Sequence, residues 1–209
     1  MNISKRQLER YPIYLKYLLS LKGGSSNNIS SPMIAKALGL SEEIVRKDLQ
    51  VVSKQSGKPN QGRNIDELIK DIQSFLEYDK IDDAIIVGVG HLGKAFMNYD
   101  GFSSFGLNIV AGFDVNEKII GTKINNKPIY SLYSLQSIIA NLEAKIAILA
   151  VPSDAAQQVV NQLVNCGIRA IWNFVPIHID VPEDVVTENV NLASSLAVLS
   201  HKLKTINKE

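Results

Sequence analysis

The stretch AIIVGVGHLGKAFMNY, residues 84–99, decides the architecture of most of the chain. It passes from a β-rich apolar run, AIIV, through a glycine-rich turn into a helical segment, LGKAFMNY. The turn GVGHLG, residues 88–93, fits the spacing G-x-G-x-x-G. Each glycine has a physical reason to be there. Gly88 permits the tight turn, Gly90 lets the backbone approach a pyrophosphate, and Gly93 lets the helix pack close to the sheet. Val89, His91 and Leu92 complete a turn that offers helix N-terminal N–H groups to an anion. The spacing alone is weak evidence; a strand before it and a helix after it give it weight.

Outward from this turn, LNIVAGF (107–113) is a second strand that runs into Asp114. An acid 26 residues after Gly88 can accept hydrogen bonds from a ribose 2′-hydroxyl and repels a 2′-phosphate. No arginine follows in Val115–Lys118, VNEK, so NAD(H) is favoured over NADP(H). Two more apolar runs, AKIAILAV (144–151) and IRAIWNF (168–174), alternate with helical stretches at 92–99, 133–142 and 154–166. Strands alternating with helices imply a parallel sheet with crossovers, an α/β domain of Rossmann type. The alternatives are a domain of this type that has lost its ligand, or one that takes another nucleotide such as coenzyme A.

The first third reads differently. Residues 5–22 form a helix with Leu8, Tyr11, Leu15, Leu18 and Leu19 near helical spacing, followed by a turn at 23–28. Ser31 can cap a helix opened by Pro32 and ended by Gly39 in the left-handed region. Ser41 caps the next helix, loaded with Glu42 and Glu43 at its N-terminus. The expected core of this helix-turn-helix is Ala35, Leu38, Leu40, Ile44, Val45 and Leu49. Arg46, Lys47 and Gln50 then face outward, where a recognition helix carries its readers, with Ser41 at its start. The polar segment 53–63, SKQSGKPNQGR, adds Lys54, Lys58 and Arg63 as a wing able to touch DNA backbone. Another amphipathic helix, 65–77, follows.

Charge supports this division. Residues 1–63 hold 11 Lys/Arg and 4 Asp/Glu, a net of +7, and the remainder nets −6, so the whole carries +1. A basic third on an acidic remainder suits a polyanionic partner, double-stranded DNA. The competing reading is a helical domain that docks on protein.

The chain has 209 residues and one cysteine, Cys166, which excludes an internal disulfide framework and a zinc site built on several thiolates; no metal is expected. No apolar run reaches membrane-spanning length and the start lacks a secretory h-region, so a soluble cytoplasmic protein is the default, with no membrane partner. The three histidines are poorly placed for hydride-transfer chemistry. His91 lies in the phosphate turn, His178 in the loop after the last expected strand, and His201 in the C-terminal helix. No catalytic residue is assigned, and an enzyme is not expected.

A dinucleotide turn beside a DNA reader, with no catalyst, suggests a redox sensor. The chain resembles the Rex family of bacterial redox-sensing transcriptional repressors over essentially its whole length. The resemblance rests on VRKDL (45–49), VGVGHLGKAFMNYDGF (87–102), FDVNEKIIG (113–121), AVPSDAAQ (150–157), GIRAIWNFVPI (167–177) and NVNLASSL (189–196). It implies a homodimer with an N-terminal winged helix-turn-helix domain at 1–80, a Rossmann domain at 81–188, and a C-terminal helix at 189–209 exchanged between subunits. It also implies binding to a palindromic operator, relieved by NADH. Besides the turn residues and Asp114, the resemblance assigns Tyr99 to the nicotinamide end and Val151, Pro152, Asn173 and Phe174 to segments around the cofactor.

Three features depart from the family pattern: the wing sequence, a proline within it, and one pair of switch residues. Its wing usually starts Tyr-Phe-Gly and continues through Gly-Arg/Lys-Gly and Gly-Tyr. Here it reads VVSKQSGKPNQGRN (51–64), with Val51, Val52, Ser53 and Arg63 in those places and a Pro59 that cannot donate to a β-ladder. Some members pair an arginine of the first helix with an aspartate at the start of the exchanged helix. Lys16 and Asn191 stand in those positions, and asparagine forms no ion pair, which weakens or removes that switch contact. The expected switch is a change of angle between the two Rossmann domains of the dimer, so that the recognition helices no longer match half-sites roughly 34 Å apart. The alternatives are a divergent paralogue with weakened or lost redox sensing, and a small NAD-dependent oxidoreductase.

Overall fold

The structure is a computed structural model that describes residues 3–24, 26–53, 62–78 and 80–206. The chain divides into two compact units, Met1–Lys80 and Ile81–Glu209.

The first unit contains helix α1 (Lys5–Leu21), strand β1 (Asn28–Ile29), helices α2 (Ser31–Leu38) and α3 (Glu42–Val52), strand β2 (Arg63–Asn64) and helix α4 (Ile65–Phe75). The two short strands pair antiparallel, Asn28 with Asn64 and Ile29 with Arg63. Two helices bury stripes of the same spacing. In α1 the buried residues are Tyr11, Tyr14, Leu15 and Leu18, and in α3 they are Val45, Asp48, Leu49 and Val52. This corrects the expected core in detail: Leu8 and Leu19 are exposed, and Ile44, one position before Val45, turns about 100° away from the core and is 40% exposed. Leu38 and Leu40 pack partly buried against the same core. The cap of α2 also shifts by one residue. Ser30, not Ser31, accepts from the Met33 N–H at 3.4 Å, because Pro32 has no N–H and the cap must reach the third helical position. Gly39 ends the helix at φ +64°, as expected, and Ser41 caps α3 by accepting from the Ile44 N–H at 3.3 Å.

Among the described residues of this unit, Asp48 is the buried charge, 2% exposed. Arg10 of α1 donates to both of its carboxylate oxygens, at 2.6 and 2.8 Å, and the Tyr14 hydroxyl donates to Oδ2 at 2.7 Å. Tyr11 donates to the Asp48 carbonyl at 3.1 Å. Three α1 side chains therefore hold one residue of α3. The hydrogen bond to Asp48 drives the Arg10 pKa up, and burial, then the bond to Asp48, drives the Tyr14 pKa up. The Tyr14 shift is upward, so the stability it carries is complete below the ordinary tyrosine value and is lost as pH rises above about 10, while Arg10 stays charged throughout that range. Alkaline melting of this unit is the expected result, and Tyr14→Phe should flatten the decline; an identical pH profile in that variant would refute the assignment.

In the second unit, strand β3 (Asp82–Val87) leads into helix α5 (His91–Asn98), and strand β4 (Leu107–Asp114) follows. The chain continues through β5 (Lys123–Ile124), β6 (Lys127–Ser131), α6 (Leu135–Leu142), β7 (Ile146–Leu149), α7 (Ser153–Asn165), β8 (Ala170–Asn173), β9 (Val186–Asn189) and α8 (Leu192–Ile206). Among the described residues the sheet has seven strands in the order β5-β6-β4-β3-β7-β8-β9, with every pairing parallel except β5 with β6. Without the β5 hairpin this is the doubly wound order 3-2-1-4-5-6 of a Rossmann fold. The central strand β3 is buried from Ala84 to Val87, which is why it reads as a continuous apolar run. Strands β5, β6 and β9 have no such run. Pro128 interrupts β6 on its antiparallel side, and β9 is mostly exposed at the sheet edge.

No helix among the described residues is long and apolar enough to cross a membrane.

Candidate functional site

The strand order reverses between β3 and β7, and in such sheets ligands bind outside the carboxyl ends of the strands at that point. An open cleft of about 590 Å³ lies there. Its floor is the turn Gly88, Val89, Gly90 and His91, and its walls include Asp114 and Val115 after β4 and Val151 and Pro152 after β7. The cleft thus gathers eight of the residues assigned to the cofactor from sequence. Leu92 and Gly93 belong to the first turn of α5 without lining it.

The three glycines meet different constraints. Gly88 has φ +93°, and a Cβ there would overlap the Ala150 carbonyl at the end of β7. A Cβ on Gly93 would overlap the Gly88 carbonyl. Gly90 differs, since no heavy atom of the chain lies within 4 Å of a Cβ built on it. Nothing in the fold requires glycine at 90, whereas a pyrophosphate drawn close to the backbone does. Gly90 is also the N-cap of α5 and supplies no side-chain cap, which leaves the first-turn N–H groups to an anion.

Asp114 is already aimed. Its Oδ2 accepts from the Val89 N–H at 2.7 Å and its Oδ1 from the Asn116 N–H at 2.8 Å. Each oxygen keeps a lone pair for a ribose hydroxyl. These residues fit a dinucleotide without a 2′-phosphate. Asp114→Asn places an NH₂ where an N–H already points, and a loss of roughly tenfold in NADH affinity is expected, about 1.4 kcal/mol. Equal affinity in calorimetric titration would remove Asp114 from the site.

Lys94, Asn116, Ile119 and Ala150 also line the cleft and were not expected from sequence. Lys94 could have been found, because it lies three residues after His91 on the same helix face and brings a cation to the anion's end. Ala150 could not, because its place depends on β7 lying beside β3.

Tyr99, Asn173 and Phe174 do not line the cleft. Tyr99 closes α5, 53% exposed. Asn173 is buried, and its side chain is spent within the protein. It donates to the Ile177 carbonyl at 3.2 Å and to Asn189 Oδ1 at 2.8 Å, and accepts from the Val175 N–H at 2.9 Å. Phe174 packs among Phe96 and Trp172, each 4.8 Å away between ring centroids.

In the first unit Arg46, Lys47 and Gln50 are exposed, while Asp48 and Leu49 of the same helix are buried. Lys47 pairs with Glu43 at 2.7 Å, both side chains well exposed, and such a pair is too weak to keep lysine from a phosphate. Arg63 lies in the β1–β2 ladder, partly buried, with its pKa lowered by desolvation. Lys54, Lys58 and Pro59 lie outside the described residues. Lys16 is exposed on α1, and Asn191 caps α8 by accepting from the Ser194 N–H at 3.0 Å.

His178 is exposed beside Asp180 at 3.4 Å, and His201 is exposed on α8. Among the described residues no group of three or more His, Cys, Asp or Glu could hold a metal ion.

Comparison with known proteins bears on both units. A family model described as a CoA binding domain matches residues 79–177, and one described as a putative DNA-binding protein N-terminus matches residues 2–50. The redox-sensing transcriptional repressor Rex of Clostridium botulinum is 39% identical over 202 residues, covering 97% of this chain and 96% of its own length. The Rex protein of Porphyromonas gingivalis is 38% identical, covering 95% and 91%. The solved structure of RSP in complex with beta-NAD+ and operator DNA superposes with a TM-score of 0.91 at 35% identity, covering 99% of this chain and 95% of that one. RSP, a Rex-family repressor, in complex with beta-NADH gives 0.88 at 34% identity, covering 99% and 97%. Identity at this level, sustained through both units, means that the chain belongs to the Rex family of redox-sensing transcriptional repressors.

Proposed function

We propose that this chain represses transcription by binding a palindromic operator as a homodimer, and that operator affinity falls when the cleft holds NADH. The observation that carries the reading is the cleft: an open Gly90 over an uncapped helix N-terminus, facing an Asp114 already oriented by Val89. Gly88, Val89, Gly90, His91, Leu92 and Gly93 hold the diphosphate, and Asp114 with Val115 holds the ribose next to it. Val151 and Pro152 close the far wall, and Tyr99 serves the nicotinamide end, with Asn173 and Phe174 supporting that side of the sheet. The dinucleotide supplies the redox signal; the chain supplies no acid or base for turnover.

Arg46, Lys47 and Gln50, with Ser41, Lys54, Lys58 and Arg63, meet the DNA. Helix α8 exposes Leu196, Val198, Leu199, Leu203 and Ile206, an apolar surface suited to exchange between subunits of the dimer. Action in the cytoplasm, where operator and dinucleotide meet, follows.

A second reading is favoured by one observation. Asn191 is neutral and its Oδ1 is occupied in capping α8, so an ion pair to Lys16 is absent and redox coupling is weakened. Fluorescence anisotropy of a labelled operator, titrated with protein at one stated salt concentration, separates the two. Binding that NADH reverses and NAD+ does not supports the sensor. Tight binding indifferent to both supports the paralogue that has lost sensing, and turnover of NADH with a carbonyl substrate would support the oxidoreductase instead.

A further inference from the structure

Outside the cleft, several contacts converge on the short segment 97–102 that follows α5. The Lys127 Nζ donates to the Met97 carbonyl at 2.8 Å, so a cation sits on the negative end of the α5 dipole. Asn125 Nδ2 donates to Asp100 Oδ1 at 2.7 Å. Both partners come from the β5–β6 hairpin, whose two turn residues, Asn125 and Asn126, have φ +48° and +62°. From the other side the Tyr99 ring packs edge-on against Phe102, centroids 4.9 Å apart at 82°. Phe102 in turn packs edge-on against Phe96 and Trp172, at 5.6 and 5.9 Å.

Gly101 completes the arrangement. A Cβ built there would overlap Cζ and Oη of Tyr99, and its three nearest neighbours all belong to that ring. Gly101 is not among the glycines with positive φ, so its backbone accepts alanine. A side chain at this position would displace the tyrosine ring that lies across it. The half-exposed phenol is thus flanked by a glycine platform, a phenylalanine edge and a backbone segment tied to the hairpin.

We infer that Gly101, Asn125 and Lys127 are positioning residues that hold Tyr99 and Asp100 for the discrimination of reduced from oxidised nicotinamide. The inference rests on the reading that Tyr99 serves the nicotinamide end. The two oxidation states differ only in that ring, by one positive charge and by planarity, so selectivity must arise there. A ring and a carboxylate held in place before binding discriminate better than mobile ones, since less ordering accompanies the contact.

The test compares the full-length protein with Gly101→Ala, Asn125→Ala, Lys127→Met and Tyr99→Ala. Affinities for NADH, NAD+ and ADP-ribose are measured by calorimetry, with quenching of the one tryptophan, Trp172, as a second signal. Gly101→Ala and Asn125→Ala are expected to shrink the NADH-to-NAD+ affinity ratio by about fivefold or more, the lower end of ordinary coupling, while ADP-ribose binding stays unchanged. If Tyr99→Ala shifts the ratio and neither Gly101→Ala nor Asn125→Ala does, the positioning role is wrong. A parallel loss for all three ligands would mean general damage to the unit and would equally overturn it. If Tyr99→Ala leaves the ratio untouched, the placement of Tyr99 at the nicotinamide fails, and the inference falls with it.

Discussion

Asp48→Ala is expected to destabilise the N-terminal unit by about 3 kcal/mol, the low end for breaking a buried ion pair. The low end applies because the Arg10 side chain keeps 21% of its surface in water, against 3% for Asp48. The variant strands the guanidinium, the Tyr14 hydroxyl and the packing of α1 on α3 together. Removing both charges in Arg10→Leu/Asp48→Leu should restore much of the loss, since an apolar pair of similar volume is often neutral. The consequence for function comes through geometry. Asp48 lies directly after Arg46 and Lys47 on α3, so its bonds to α1 fix the roll of the helix that presents them. The double variant should therefore fold, yet lose operator affinity more than affinity for unrelated duplex, because phosphate contacts survive a small roll and base contacts do not. Denaturant melts and paired anisotropy titrations read both effects. A single variant that costs under about 1 kcal/mol would show the cluster to be incidental.

Gly90→Ala and Gly88→Ala should separate binding from folding. At 90 the backbone is extended and a methyl group meets nothing in the chain, so the melting temperature should hold. NADH and NAD+ affinities should both fall at least tenfold, or about 1.4 kcal/mol, because the methyl group occupies the approach of the diphosphate. At 88 the left-handed backbone and the overlap with the Ala150 carbonyl act on the protein itself. That variant should lose roughly 1–3 kcal/mol from backbone strain before any ligand is added, and more if β7 must move. Unchanged dinucleotide binding in Gly90→Ala would remove the turn from the site.

The doubly wound sheet was legible where strands are central and illegible where they are peripheral. Ala84–Val87 announces itself because both faces are buried. Strands β6 and β9 did not: β9 is an edge strand that answers to solvent and tolerates threonine and glutamate, and β6, flanked by the two-residue β5, is mostly half-buried and carries Pro128. Tyr14 was overlooked beside Leu8 and Leu19 for a related reason. Hydrophobicity ranks leucine above tyrosine, and only a buried Asp48 opposite makes a phenol the better core residue. Lys94 was visible in its spacing from His91, whereas Ala150, Asn116 and the platform at Gly101 became visible only with the chain folded.

What the sequence determined by itself is local: a strand, a glycine turn and a helix in series, an acid at the end of the next strand, two helices of the right length around Gly39, and a basic first third. Each of those features is a short run, a spacing along the chain or a composition, so the order of residues suffices to read it. Only the tertiary structure decided that Asp48 is a buried anchor rather than a charge beside the readers. It also decided that Asn173 is spent on the β8–β9 connection, that Tyr99 lies across Gly101, and that the adjacent Asp100 is held from a hairpin 25 residues away. The physical reason is the same in each case. A polar or aromatic side chain takes its meaning from the partner that satisfies it, and these partners come from elements distant in the chain.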